Sequence, residues 1–192
     1  MMDYKYRGNA KPKKGDLLIS EPFLPDPNFE RTVILMCEHN EEGSFGFVLN
    51  RPSVMQFDEV VEGIEDFKAT LYVGGPVEQN TLHFIHRAGD IIEGGVEISE
   101  GLYWGGNFEN LKILIETKQI PADDFKFFIG YSGWGSGQLV EELKANSWII
   151  RQNATPKEIF DENPENLWRE VLKDMGGKFR MFSNYPSDPR LN

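Results

Sequence analysis

The chain has 192 residues, of which 40% are hydrophobic and 12% aromatic, and a single globular domain of this size can enclose one core. Its only cysteine, Cys37, excludes an intramolecular disulfide and any zinc or iron–sulfur site built from cysteines. The mean hydropathy is -0.44, no apolar run approaches the ~18 residues of a membrane span, and no apolar leader opens the chain, which together predict a cytoplasmic protein.

The formal charge of -11 is unevenly distributed. Residues 1–14 contain five basic residues and one acidic residue, so the rest of the chain holds 20 - 5 = 15 basic and 31 - 1 = 30 acidic residues. We therefore predict a flexible basic arm over residues 1–14 and a single acidic domain over residues 15–192. Because an acidic body repels a phosphate backbone, direct binding of nucleic acid is disfavoured.

The first third of the chain predicts strands in GDLLISEP, RTVILMCEH and SFGFVLN. The unbroken apolar run from Val33 to Cys37 is typical of a strand that is covered on both faces. The segment NEEG predicts a hairpin turn after this strand, and Pro52 is expected to end the strand that follows. Apolar residues at helical spacing then predict a short amphipathic helix over residues 57–67.

The middle of the chain predicts two strands, TLYVGG and TLHFIHR, joined by the turn-rich segment GPVEQN, and a further strand pair in DIIEGGVEIS and GLYWGG. Asn107 is a suitable cap for a helix over FENLKILIETKQI. Later in the chain, SWII predicts a short strand, and Pro164 and Gly176 bound a final helix. Strands and helices therefore mix within one compact α+β domain.

The segment FFIGYSGWGSGQLVEEL, residues 127–143, predicts a strand ending at Ile129, a glycine-rich turn and a helix. Counted from Gly133 or from Gly135, the sixth residue is not glycine, so the dinucleotide fingerprint is missing. A nucleophile elbow fails because Trp134 stands where its last glycine belongs. Two interpretations remain, a turn of the chain or an anion site at the free amides of the helix start, where Ser136 is a possible cap.

The histidines and the cysteine raise two further questions. His83 and His86 lie three residues apart on a predicted strand and so face opposite sides, and we predict no metal site and no cofactor. Cys37 and His39 lie two apart and share a face, which allows a thiol with a lowered pKa. The alternative is a core cysteine, because free cysteines are among the most buried residues. The four tryptophans are interpreted as core and rim packing.

Three long segments in register carry a resemblance to a known family: GDLLISEPFLPDPNFERTVILMCEHNEEGSFGFVLNRP, LYVGGPVEQNTLHFIH and FIGYSGWGSGQLVEELKANSWI. Together they resemble the AlgH/YqgE family of bacterial proteins, from about Gly15 to Gly176. The resemblance implies a curved, mostly antiparallel and bifurcated sheet that forms a pseudo-barrel with helices packed around it. It also implies a protein of uncharacterised activity, for which transcriptional regulation is the usual label.

No catalytic residues come with this resemblance. The positions that match the family motifs supply the candidate binding residues, namely Cys37, His39, Asn50, Gly74, Gly75, Pro76, Tyr131, Trp134 and Gln138. Two segments depart from the family pattern, GSGQ after the turn and the tail KFRMFSNYPSDPRLN.

Three hypotheses for function follow. The first is a non-enzymatic regulatory or adaptor protein that binds another protein or a small ligand, and the family's gene context makes a Holliday-junction-resolvase-like nuclease a conceivable partner. The second is a transcriptional regulator acting on DNA, although the sequence predicts neither two adjacent helices nor a basic recognition helix. The third is a thiol enzyme or redox sensor that uses Cys37 with His39.

Overall fold

The structure, a computed structural model, describes residues 11–161 and 163–186. Ten strands occur in these residues: β1 (Leu17–Ser20), β2 (Val33–His39), β3 (Gly43–Val48), β4 (Pro52–Gln56), β5 (Thr70–Val73), β6 (Val77–His86), β7 (Val96–Ser99), β8 (Leu102–Trp104), β9 (Phe125–Gly135) and β10 (Trp148–Arg151). Six α-helices accompany them: α1 (Phe57–Val60), α2 (Phe108–Glu116), α3 (Gln138–Lys144), α4 (Pro156–Ile159), α5 (Pro164–Met175) and α6 (Gly177–Phe182).

The strands form one branched sheet. Its main path is β10-β1-β2-β3-β9-β6-β8-β7, and all neighbours on this path are antiparallel. A side branch leaves at β9, which also pairs in parallel with β5, and β5 pairs with β4. Within the described residues the two end strands do not pair, so the sheet is open. It curls enough that Ile98 of β7 shares a core cluster with Leu17 of β1. The predicted α+β class and the bifurcated, mostly antiparallel sheet are confirmed.

Both faces of the sheet are covered, as neighbouring residues of β9 show. Phe127 packs into a cluster with Phe57 and α2, whereas Phe128 packs into another with Phe47 and α5. All four phenylalanines are fully buried. A third cluster lies under α3 and contains Trp148. Because successive side chains of a strand point to opposite faces, a strand covered on both sides carries a continuous apolar run.

Most of the predicted elements are confirmed. The unbroken run in β2 is buried from Val33 to Cys37, as the pattern predicts. Asn107 caps α2, and its side chain accepts a hydrogen bond of 3.0 Å from the backbone N–H of Asn110. Helix α5 begins at Pro164, and Gly176 is its C-cap. Local sequence therefore determines these elements and their ends.

Several boundaries differ from the prediction. β9 does not end at Ile129 but continues to Gly135, because its last residues pair with β3. β6 begins at Val77, inside the segment predicted as a turn. The helix predicted over residues 57–67 is a single turn, α1, and Pro52 begins a strand, β4, that the sequence did not indicate. For β4, β6 and β9, pairing with other strands extends the sheet into residues that carry turn signals. Helix α1 ends at Val60 because its C-cap, Val61, is extended.

Two adjacent helices lie late in the described chain, so the expectation that none would occur is wrong. Only Gly176 separates α5 from α6, and α6 carries Lys178 and Arg180. Helix α6 has six residues, and its Phe182 packs into the core cluster of α5. Within the described part of the chain, no helix is both long and apolar enough to cross a bilayer.

The predicted basic arm is described only from residue 11 onward. Its last two lysines contact the body of the protein: Lys13 Nζ donates to Asn153 Oδ1 at 3.0 Å, and Lys14 Nζ donates to the Glu97 carbonyl at 3.1 Å. Residues 1–10 of the arm and residues 187–192 of the tail lie outside the described residues.

The branch in the sheet depends on a close approach between Gly74 and β9. The Gly74 N–H donates to the Ile129 carbonyl at 2.9 Å, and the Gly74 carbonyl accepts from the Ser132 hydroxyl at 3.0 Å. A Cβ atom at Gly74 would lie 2.4 Å from the Gly130 carbonyl oxygen, a distance at which atoms overlap. Gly130 has a φ of 67°, which favours glycine. Side chains at these positions would push the strands apart.

We therefore expect Gly74→Ala to destabilise the protein by about 3 kcal/mol, because the added methyl group overlaps backbone that cannot move freely. The matched control is Gly135→Ala on β9, where the nearest atom to an added Cβ lies 4.0 Å away and φ is not positive. Urea denaturation measures both variants. Equal midpoints for the two alanine variants would contradict the role assigned to Gly74.

Candidate functional site

The nine candidate residues do not form one site. Tyr131 and Trp134 line an open pocket, but Cys37, Asn50 and Gly74 are held inside the fold. Of the others, Gly75 is buried, His39 is half-buried, and Pro76 and Gln138 are exposed.

Cys37 is a buried core residue. Its thiol is 2% exposed and lies 3.8 Å from the Leu35 carbonyl oxygen. Burial raises the pKa of Cys37 well above its ordinary value, which is the opposite of the lowering that a reactive thiol requires. His39 Nδ1 lies 2.6 Å from the Ser44 hydroxyl, so this ring nitrogen bonds to Ser44 rather than to the thiol. The geometry favours the core interpretation of this cysteine.

Asn50 and the Gly74–Gly75–Pro76 segment hold strands together. Asn50 Oδ1 accepts from the Val33 N–H at 2.8 Å, and its Nδ2 donates to the Arg31 carbonyl at 2.9 Å. A Cβ at Gly75 would lie 2.2 Å from the Tyr131 carbonyl carbon, so this glycine is needed for the same close approach as Gly74. Pro76 is exposed just before β6.

The glycine-rich turn is closed by hydrogen bonds within the chain. The Gly135 N–H donates to Gln138 Oε1 at 3.0 Å, and the Ser136 hydroxyl donates to the Glu41 carbonyl at 2.7 Å rather than capping the helix. The helix that follows has only seven residues, and its N-cap is Gly137 in the left-handed conformation. These contacts support the interpretation of the segment as a turn of the chain.

Trp134 is fixed by a carboxylate that the sequence analysis did not single out. Glu142 on α3 accepts the indole N–H of Trp134 at 2.8 Å and that of Trp148 at 2.7 Å through the same oxygen, Oε2. Its other oxygen accepts from Gln138 at 3.0 Å. Glu142 therefore ties the end of β9 to β10 and holds Trp134 against the pocket.

An open cavity of about 580 Å³ lies where β3, β6, β8 and β9 meet, and we call it the aromatic pocket. Its aromatic lining consists of Phe45, His83, Trp104, Tyr131 and Trp134. The ring of Phe45 lies 4.9 Å from that of Trp104 and 6.1 Å from that of Tyr131, with the ring planes at 80° and 81°. Edge-to-face contacts of this kind are a favourable packing arrangement, and together these rings form one wall of the pocket.

Two polar groups in the aromatic pocket bear on what it can bind. The Trp104 Nε1 atom is buried and has no hydrogen-bond partner among the described residues. His83 Nε2 lies 2.9 Å from the Thr81 hydroxyl, and burial lowers the pKa of His83. The imidazole is therefore favoured in its neutral form, and Trp104 carries a buried N–H donor that has no partner among the described residues.

The rim of the aromatic pocket is acidic. Glu38 and Glu42 line it and are exposed, and Glu38 accepts a hydrogen bond of 2.6 Å from the side chain of Asn40. The described residues that line the pocket include no lysine or arginine. A negative rim around aromatic faces attracts positive charge.

The sequence indicates two of the pocket residues, Tyr131 and Trp134. It does not indicate that Phe45 and Trp104 line the same pocket. Phe45 lies two residues before Phe47 in β3 and so points to the same face of the sheet, and this spacing was the available signal for its place beside the core. His86, the other strand histidine, is fully buried and bonded at both ring nitrogens, to Gly105 and Ala88. In the described residues, no group of three potential ligands is arranged to hold a metal ion.

Comparisons with known proteins cover almost the whole chain. A family model described as AlgH-like matches residues 17–180. A UPF0301 protein of Cytophaga hutchinsonii is 48% identical over 93% of this chain and 98% of its own, and one of Chlorobium limicola is 45% identical over 95% and 97%.

Two solved structures share the fold. The solution structure of the AlgH protein from Pseudomonas aeruginosa is 30% identical, with a TM-score of 0.72 over 90% of this chain and 94% of that one. A crystal structure of a protein from Corynebacterium diphtheriae is 22% identical, with a TM-score of 0.76 over 92% and 94%. None of these descriptions states a reaction or a ligand.

Burial of Cys37 leads to a prediction for its reactivity. We expect iodoacetamide to alkylate the native protein at least about a hundredfold more slowly than the urea-unfolded protein, because the thiolate forms only on opening. His39→Ala should leave the native rate unchanged. Intact-mass measurements over time give both rates. Native alkylation as fast as that of the unfolded chain, or a rate that falls in His39→Ala, would restore the thiol hypothesis.

Proposed function

The chain belongs to the AlgH-like family, and we propose that it is a non-enzymatic regulatory or adaptor protein that binds a cationic segment of a partner protein in the aromatic pocket. The observation that carries this proposal is the aromatic wall of Phe45, Trp104 and Tyr131 in a pocket with an acidic rim. Its volume of about 580 Å³ is typical of binding sites.

Charge complementarity selects a cationic occupant. An ammonium or guanidinium group placed over an aromatic face gains an electrostatic attraction of about 0.5–2 kcal/mol. Glu38 and Glu42 add two carboxylates at the mouth, and the net charge of -11 attracts cations from a distance. An anionic ligand meets repulsion from all of these groups.

The unpartnered Trp104 N–H favours a peptide over a free cation. A buried donor without an acceptor costs free energy, and a ligand that supplies the acceptor removes that cost. A peptide segment offers a lysine or arginine side chain for the rings and a backbone carbonyl for Trp104. A small ammonium ion offers only the charge. The resolvase-like nuclease that the family's gene context makes conceivable is the first partner to examine for such a segment.

The DNA hypothesis has weaker support. Helix α6 follows α5 directly, but it is six residues long and carries two basic residues. A recognition helix must reach base edges with several side chains, and the acidic charge of the chain opposes approach to phosphates. The thiol hypothesis has no exposed nucleophile at Cys37.

Binding of capped pentapeptides with lysine, arginine, leucine or glutamate at the centre tests the proposal. We expect the lysine and arginine peptides to shift the backbone NMR signals of residues 43–45 and Tyr131, and the glutamate peptide to leave them in place. Trp104→Phe keeps a ring but removes the N–H, and should weaken binding about tenfold. Glu42→Gln should weaken it about threefold.

The matched control is Glu116→Gln on α2, which removes the same charge from an exposed position outside the pocket lining. It should bind the lysine peptide like the unchanged protein. If leucine or glutamate peptides bind equally well, or if Glu116→Gln weakens binding as much as Glu42→Gln, the pocket does not select cations and the proposal is wrong.

A further inference from the structure

A second cavity, separate from the aromatic pocket, contains a buried lysine. Lys126 lies on β9 between Phe125 and Phe127, and its side chain is 4% exposed. Its Nζ donates to the Ile159 carbonyl at 3.2 Å and stands 4.0 Å from the centre of the Tyr72 ring. A lysine inside an aromatic strand is rarely this deeply buried without a charged partner.

Lys126 lies in the lining of a cleft of about 710 Å³ between the sheet and α4. This cleft shares no lining residue with the aromatic pocket. The charged side chains around Lys126 are Lys68, Arg87, Asp123, Lys157 and Asp161. The apolar part of the lining includes Phe125 and Phe160.

Two of the other charged side chains in the cleft, those of Arg87 and Lys68, are already paired. Arg87 forms an ion pair of 2.8 Å with Asp124 and lies over the Phe160 ring, and Lys68 forms one of 2.7 Å with Asp58. Lys126 makes no ion pair with any described carboxylate. One backbone carbonyl and one ring face leave part of the hydrogen-bonding capacity of its ammonium group unused.

The pKa of Lys126 is consistent with an ammonium group that lacks an ion-pair partner. Burial lowers the pKa of Lys126 to about 7, and the negative charge of Asp161 partly opposes the fall. A negative group placed against Nζ would complete the hydrogen bonds of the ammonium and hold it in the charged form.

We propose that the Lys126 cleft binds a small monocarboxylate with an apolar body, its carboxylate pairing with the Lys126 ammonium and its body lying against Phe160, which also lines the cleft. A ligand with one negative charge supplies the ion-pair partner that the buried Lys126 lacks among the described residues. A phosphate dianion fits less well, because Asp123 and Asp161 also line the cleft. The bound carboxylate accepts hydrogen bonds from Nζ, and no covalent step is involved.

Propionate is the probe, and calorimetry with the full chain gives its affinity. We expect saturable binding at about pH 6, and binding at least tenfold weaker at about pH 8.5, where most of the free Lys126 is neutral. Lys126→Met, close in volume but uncharged, should weaken binding at least about tenfold. Lys157→Gln removes an exposed cation of the same cleft and should change the affinity less than about threefold.

A measurement on the unchanged protein tests the proposal even if Lys126→Met does not fold. The 13Cε signal of Lys126 reports its protonation, and saturating propionate should raise the pKa read from that signal. An unchanged pKa, wild-type affinity in Lys126→Met, or tighter binding of inorganic phosphate than of propionate would each overturn the proposal. These outcomes are independent of the aromatic pocket and of its peptide.

Discussion

The architecture depends on the close backbone contact at which β9 meets three other strands. β9 pairs with β5 as far as Ile129 and with β3 from Ser132 onward, so this change of partner spans Gly130, while β6 pairs with β9 as far as Tyr131. Side chains would block this crossing, since Cβ atoms at Gly74 and Gly75 would overlap β9 backbone. Without this close contact the sheet would not branch, and the two halves of the core would no longer share β9.

The aromatic pocket is a consequence of the same branch. Where β6 bulges away from β9, between Val77 and Leu82, the face of the sheet opens and leaves Tyr131 and His83 partly exposed. β3 then brings Phe45 beside them, and β8 brings Trp104. A rigid sheet holds these rings in a fixed arrangement, which lowers the entropy cost of ligand binding. The Lys126 cleft lies toward the start of the same strand, so β9 connects both proposed sites.

Local sequence explains much of the fold but little of either site. The buried run of β2 and the cap at Asn107 depend on neighbouring residues, and both are readable from periodicity and composition. The continuation of β9 through its glycines cannot be predicted from local sequence, because these residues would form a turn if β3 did not pair with them. Phe45 and Trp104 are far apart in sequence, and only the strand order places their rings together. Burial of Lys126 likewise depends on Ile159 and Tyr72, from distant elements.

The central claim is that the aromatic pocket receives a cationic side chain of a peptide. A crystal structure of the chain with the lysine-centred pentapeptide tests it most directly. The account predicts the ammonium within about 6 Å of the ring centroids of Phe45, Trp104 or Tyr131, and a peptide carbonyl oxygen within hydrogen-bonding distance of Trp104 Nε1. A lysine side chain resting on acidic surface elsewhere, with the rings uncovered and Trp104 still unpartnered, would contradict it.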